Sequence, residues 1–341
     1  MNEKRVTLLD IAQKAGVDKS TVSLALRLDP RINRKTQEHV AQVAESLGYR
    51  PDPHLSHLMG YLRSSRPQRK EEVVAYLRFE RSPEQDMDKV PFFGEFHMGV
   101  KSELERLGYL VENFHLREYD FKSLRLSQVL FHRGIRGIVV SPPPGITNLD
   151  DFEWDRFSSI TMGYRLQEPQ LCRVVCDQIA IIRMVLDELQ DRGYKRPALA
   201  YKRGMDSHVN QRWSIALEGC RHLYPSIDIG SIYVGEADQG FLDFWKDSNA
   251  DCIIGLHYEF ARVLTNHGCR IPEDVGFALL DKHDGPEGVT SIDQQPFLLG
   301  QSSARQLSGF LDRNEMGIPS QPFTLTTQPV WVEGNTLRKP D

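Results

Sequence analysis

The chain has 341 residues, 40% of them apolar and 26% charged, with a formal charge of −5. That length predicts two or three structural units of ordinary globular composition. The longest unbroken apolar run, Val73–Leu77, falls far short of the roughly 20 residues a membrane helix needs, which excludes membrane insertion.

The opening MNEKRVTLLD carries no apolar stretch ahead of a small-residue cleavage site, so a cytoplasmic protein is expected. Cys172, Cys176, Cys220, Cys252 and Cys269 are odd in number, scattered, and form no C-x-x-C pair. They read as reduced thiols, with no metal and no cofactor implied. Charge is uneven. Residues 1–66 hold 11 Lys/Arg against 7 Asp/Glu, a balance of +4, and the remainder balances at −9. Such asymmetry suggests that the first part meets a polyanion.

Thr7-Leu8-Leu9-Asp10 has the form of a capping box opening a helix. Leu8, Ile11, Ala12 and Ala15 recur at helical spacing, and Gly16 suits the helix end. Asp18 can cap a second helix, about 19–28, with Val22, Ala25 and Leu26 inward and Ser20, Ser23, Leu24 and Arg27 outward. The short turn containing Gly is that of a helix-turn-helix. Asn33 can cap a third helix with the stripe Val40, Val43, Ala44, Leu47. The second helix has no carboxylate after its cap, so it can enter a phosphate-lined groove without repulsion; the plainer reading is one helix of a small bundle.

Beyond Glu72 the pattern alternates. Strands are expected at 73–77, 109–114, 137–141, 159–162, 173–176, 198–201, 229–234, 253–256 and 276–279. Helices are expected at 93–107, 123–133 and 179–192. Repeated βα units predict parallel sheets covered by helices. No G-x-G-x-x-G, G-x-x-x-x-G-K-(S/T) or G-x-S-x-G is present, and nothing argues for an enzyme.

The stretch VTLLDIAQKAGVDKSTVSLAL, followed by AESLGYRPD, resembles the N-terminal signature of the LacI/GalR family of bacterial transcription regulators, V-T-(I/L)-x-D-(I/V)-A-x-x-A-G-V-S-x-x-T-V-S. Asp18 replaces the usual serine. The resemblance implies that Lys19, Ser20 and Leu24 read base edges, and that Thr7, Thr21, Ser23 and Arg27 lie near phosphates. Leu24 has no donor, so it can only pack on a thymine methyl or exclude a wrong edge. PHLSHLMGYLRSS stands where the family has a hinge helix. Leu58 matches its minor-groove wedge, and Leu55 replaces a smaller alanine. His54 and His57, three apart, read as solvated or phosphate-facing side chains, with metal binding the remoter option.

Weaker matches run on through RGIRGIVV, RVVCDQIAIIRMVLDELQDRGYKRPALA, VNQRWSIALEGC, GCRIPEDVGFALLDKHDG and SIDQQPFLLGQSSARQL, the last where the family's chain crosses back between lobes. The implied fold is an all-α helix-turn-helix headpiece plus an α/β, two-lobe effector domain like a periplasmic sugar-binding protein, with the ligand between the lobes. The expected divisions are 1–50 for the headpiece, 51–72 for hinge and linker, and 73–341 for the effector and dimerisation domain. Lobe 1 is expected at about 73–172 and 297–322, and lobe 2 at about 173–296 and 323–341.

By the same resemblance Arg212 and Asp281 hold the effector. A buried Arg–Asp ion pair is the equally simple structural reading. His257 and Tyr258 replace the family's Asn-Asp, and Arg78 and Phe79 end the first strand. Tyr76, Phe79, Trp213 and Tyr258 can stack on a sugar ring or pack cores. Gln294, in the crossing segment, completes the expected contacts. The expected function is a repressor that binds a pseudo-palindromic DNA operator as a homodimer at the nucleoid, modulated by a carbohydrate-like effector. The alternative is a small-molecule binding protein of the same fold that does not bind DNA.

Overall fold

The computed structural model describes residues 6–26, 29, 31–49 and 72–339. Arg27, the hinge segment with Leu55 and Leu58, and His54 and His57 lie outside the described residues.

Three helices form the first unit: α1 (Leu8–Ala15), α2 (Lys19–Ala25) and α3 (Arg34–Ser46). The capping box at α1 is complete. Thr7 Oγ1 accepts from the Asp10 amide, and Asp10 Oδ2 accepts from the Thr7 amide at 2.7 Å. Gly16 ends α1 at φ +67°, where a side chain would be strained. Asn33 caps α3 by accepting from the Thr36 amide. Asp18 occupies the cap position of α2 but makes no side-chain capping bond, contrary to expectation. Ile11, Ala12, Ala15, Val22, Ala25, Val40 and Ala44 are the buried core. Small residues there let the helices approach closely.

The larger unit contains two six-stranded sheets. The first strands and helices are β1 (Glu72–Arg78), α4 (Pro91–Arg106), β2 (Tyr109–His115), α5 (Ser123–His132), β3 (Gly137–Val140), β4 (Thr147–Asn148), β5 (Ser158–Met162), β6 (Leu166–Glu168) and β7 (Arg173–Cys176). Then follow α6 (Gln178–Asp191), β8 (Pro197–Tyr201), α7 (Arg212–Gly219), β9 (Ser231–Val234), α8 (Gln239–Ser248), β10 (Cys252–Gly255), α9 (Glu259–Asn266), β11 (Gly276–Leu279) and β12 (Ser291–Asp293). The chain closes with α10 (Pro296–Arg313), β13 (Thr324–Thr327) and β14 (Val330–Val332).

Sheet order is β13-β7-β5-β3-β1-β2 in the first lobe and β14-β12-β11-β10-β8-β9 in the second. All pairs in these sheets are parallel except β12 with β14. The central strands β3, β10 and β11 are short, fully buried apolar runs, as cover on both faces requires. The chain crosses between sheets three times: after Cys176, at 294–295, and at 328–329. The crossings fall a few residues later than expected near 172 and 322, because β7 and β13 pair with each other inside the first sheet. Most of the segment read as a crossing, SIDQQPFLLGQSSARQL, is instead α10, an 18-residue helix packed along α4 and the first sheet. Gly99 and Gly300 let α4 and α10 touch. A Cβ on either would collide with the carbonyl oxygen of Phe297 or Phe96. Among the described residues, no helix is long and apolar enough to cross a membrane.

Candidate nucleic-acid interface and interlobe cleft

In the first unit, burial of Val22 and Ala25 turns the opposite side of α2 outward. Lys19 and Ser20 are exposed; Thr21, Ser23 and Leu24 are partly so. The exposed face therefore carries one ammonium, hydroxyls and one leucine, and no carboxylate between Lys19 and Leu26. Thr7 is exposed, with its hydroxyl engaged by Asp10 at 2.7 Å, so any phosphate contact there comes through the helix terminus it caps.

Sequence reasoning missed the clamp behind α2. Asp29 is buried, and Arg31 holds its carboxylate through Nε at 2.9 Å and Nη2 at 2.8 Å. The Asp29 amide donates to the Leu24 carbonyl, and Gln37 donates to the Asp29 carbonyl. Hydrogen bonds from Arg31 hold the Asp29 carboxyl down to about 2. The clamp fixes the exit of α2 against α3.

In the larger unit, the carboxyl ends of the parallel strands from both sheets surround a cleft of about 210 Å³, the usual ligand position in such sheets. Phe92 and Phe93 from the start of α4, and Tyr164 and Arg165 from the turn after β5, line the first-lobe side. Trp213, His208, His257 and Asp281 line the second, with Gln294 at a crossing. A larger groove of about 520 Å³ lies at the amino end of β3, beside Phe131, Arg136 and Arg156. It stands away from the strand ends where polar groups converge.

Asp281 Oδ1 accepts from the His283 amide at 3.0 Å and lies 2.8 Å from His283 Nδ1. His283 Nε2 lies 3.2 Å from Glu95 of α4, so this histidine joins the lobes. Burial opposes its charge, but the two carboxylates prevail and raise its pKa. His257 Nδ1 lies 3.2 Å from Asp284, and its Nε2 is buried without a partner. Gln294 is engaged in a buried chain: Trp213 Nε1 donates to Gln178, Gln178 to Gln294, and Gln294 to the Leu280 carbonyl.

Arg212 does not pair with Asp281. Its guanidinium lies 4.5 Å over the Tyr164 ring, across the lobes, and its Nε is buried without a partner. The ion-pair reading therefore gives way, and Arg212 reaches the cleft only through Tyr164.

Four expected contacts lie elsewhere. Tyr76 is buried and stacked on His97 at 4.2 Å. Phe79 is in the apolar core under the first sheet. Arg78 is buried and held by Glu80, Asp86 and Asp88 at 2.6–2.7 Å. Burial works against its charge, but the carboxylates raise its pKa. These three serve the first lobe's interior because the end of β1 is covered by 80–89 before it reaches the cleft. Tyr258 packs edge-on to Phe277 in the second lobe. The reading missed Phe92, Phe93, Tyr164, Arg165 and His208. The rule that ligands sit beyond strand carboxyl ends points to Tyr164 and Arg165; no local signal points to Phe92, Phe93 or His208.

The chain is similar to known proteins both in sequence and in fold. The model for bacterial regulatory proteins of the lacI family matches residues 7–52. Over 314 residues the chain is 21% identical to the HTH-type transcriptional regulator MalR of Staphylococcus xylosus, covering 88% of this chain and 89% of that one. Among solved structures, a complex of the transcriptional regulator CelR with cellobiose is similar at TM-score 0.58 and 22% identity, covering 97% of this chain and 100% of that one. A lac repressor dimer bound to operator and the anti-inducer ONPF is similar at TM-score 0.59 and 17% identity, covering 98% and 100%. The fold is the headpiece and two-lobe architecture of those proteins.

Proposed function

We propose that this chain, whose residues 7–52 match the lacI family of bacterial regulatory proteins, is a dimeric repressor of that family that binds a pseudo-palindromic operator and responds to a small polar effector. The observation that carries this reading is α2, whose outward face is free of carboxylates and is held on a buried core by its neighbours. Lys19, Ser20 and Leu24 meet base edges in the major groove, while Thr21, Ser23 and Arg27 set register against phosphates. Leu55 and Leu58 form the minor-groove wedge. Residues 1–50, 51–72 and 73–341 serve as headpiece, hinge and effector domain.

The cleft takes the effector, with His257 and Asp281 as polar contacts and Arg212 acting through Tyr164. CelR is described with cellobiose and the lac repressor with operator, as a dimer. Both descriptions favour a sugar-like ligand and a paired DNA complex here. Ligand changes lobe closure, hence the spacing of two headpieces, hence DNA affinity. The protein works in the cytoplasm, at the nucleoid.

Selection of bound sites from random duplex DNA tests the reading. A two-fold symmetric consensus is expected. Lys19→Ala and Ser20→Ala should relax it by about 1–3 kcal/mol at the contacted positions. Absence of any enriched sequence contradicts it.

A further inference from the structure

Elsewhere the buried arginines have anionic partners. Arg78 sits among three carboxylates, and Arg192 pairs with Glu188 at 2.9 Å and Glu333 at 2.7 Å. The arginines gathered at Tyr164, one buried (Arg173) and two half-buried (Arg165 and Arg212), differ. Arg212 and Arg173 lie 4.5 and 5.4 Å from its ring, and Arg165 is the next residue. Among the described residues, none of the three has a carboxylate within ion-pair distance. Arg173 donates to the Gly163 carbonyl and Gln170.

Arg165 is the one that lines the cleft. Its Nη1 donates to the Pro143 carbonyl at 3.1 Å, and its guanidinium lies 5.3 Å from the Phe93 ring. Those contacts hold the fork without neutralising it. Burial pulls its pKa down to about 10, so it remains charged at neutral pH. His208, on the same cleft, is pushed to about 4 by burial and then by Arg165, so it stays neutral. The acids face from the other lobe and are already engaged: Asp281 by His283, Asp284 by His257 and the Tyr258 amide at 2.8 Å. One wall thus holds an uncompensated cation, and the other holds groups suited to hydroxyls.

We infer that the effector is an anionic polyol, a sugar acid or a sugar monophosphate, whose oxyanion binds the guanidinium of Arg165. A planar fork of N–H donors matches carboxylate and phosphate oxygens, and charge-assisted bonds of this kind are the stronger ones. A neutral sugar leaves the arginine's charge without a counter-ion. The inference rests on the cleft being the effector site.

The test is thermal unfolding of the full chain against paired probes: glucose, gluconate, glucose 6-phosphate and inorganic phosphate, with ionic strength matched by sodium chloride. The expected result is saturable stabilisation by gluconate or by glucose 6-phosphate at concentrations where glucose has no effect. The responding probe separates carboxylate from phosphate. Arg165→Met should weaken that binding about ten- to a hundredfold. Arg165→Lys should keep part of it. Equal stabilisation of wild type and Arg165→Met by an anion overturns the assignment. So does a response to glucose equal to that of the anions, although the effector cleft would then stand. No saturable response to any of the three anions also overturns it. The regulator reading is judged separately, by site selection with the wild-type chain.

Discussion

His283 links the two lobes through a pair of carboxylates. Asp281 is on its own loop, and Glu95 is on α4. The Phe92 ring stands edge-on 6.0 Å away, and the neighbouring Lys282 is occupied by Asp293 at 2.8 Å. A histidine whose pKa rises on folding stabilises fully below its ordinary value near 6.5, and loses that contribution as pH climbs through the raised folded value. Thermal midpoints measured from pH 6 to 9 should therefore fall across that window in wild type. His283→Asn should be flatter; an identical slope would contradict the bridge. The replacement of the usual family residues after Asp281 was visible in DKHDG, but the partner Glu95 was not, because it lies 188 residues earlier in the chain. Arg78 teaches the converse. At the end of a strand it resembled a ligand residue. Its three carboxylates follow within ten positions, in ERSPEQDMD at 80–88, and they close over it.

At the scale of elements, periodicity reported most of what the structure contains. β1, α4, β2, α5 and α6 fall within two residues of their expected ends; Gly108, Gly134 and Gly193 close α4, α5 and α6 with left-handed backbone, and Asp177 caps α6. The apolar run of a buried strand and the stripe of an amphipathic helix are local signals. Four helices stayed hidden, α7, α8, α9 and α10; the sequence of the last, PFLLGQSSARQLSGFLDR, resembles a crossing segment instead. Its small residues have a packing role. Gly99 and Gly300 bring two helix backbones into contact, and Glu103 of α4 binds Arg305 of α10 at 2.8 Å. Gly300→Val forces the helices apart and should cost about 3 kcal/mol or more, read as a lower denaturation midpoint in urea. A loss below about 1 kcal/mol would mean that the helices can part freely.

For the whole molecule, two sheets with their carboxyl ends facing one cleft, three chain crossings and a helical headpiece provide two candidate sites, the outward face of α2 and the cleft. The headpiece was the more legible of the two. Its caps, its stripe and the carboxylate-free helix all lie within 30 consecutive residues. The cleft was less so. It is assembled from strand ends far apart in sequence, and which end reaches it depends on what covers the others. Coupling between the sites requires that both act in one dimer, since a single α2 covers only a few base pairs. The most direct measurement is equilibrium binding of the full chain to its selected operator, followed by fluorescence anisotropy across a salt series, with sedimentation giving stoichiometry. Two protomers per operator are expected, with affinity falling steeply and linearly in log–log form as phosphate counter-ions are released. A single protomer per site, or an affinity indifferent to salt, would contradict the account.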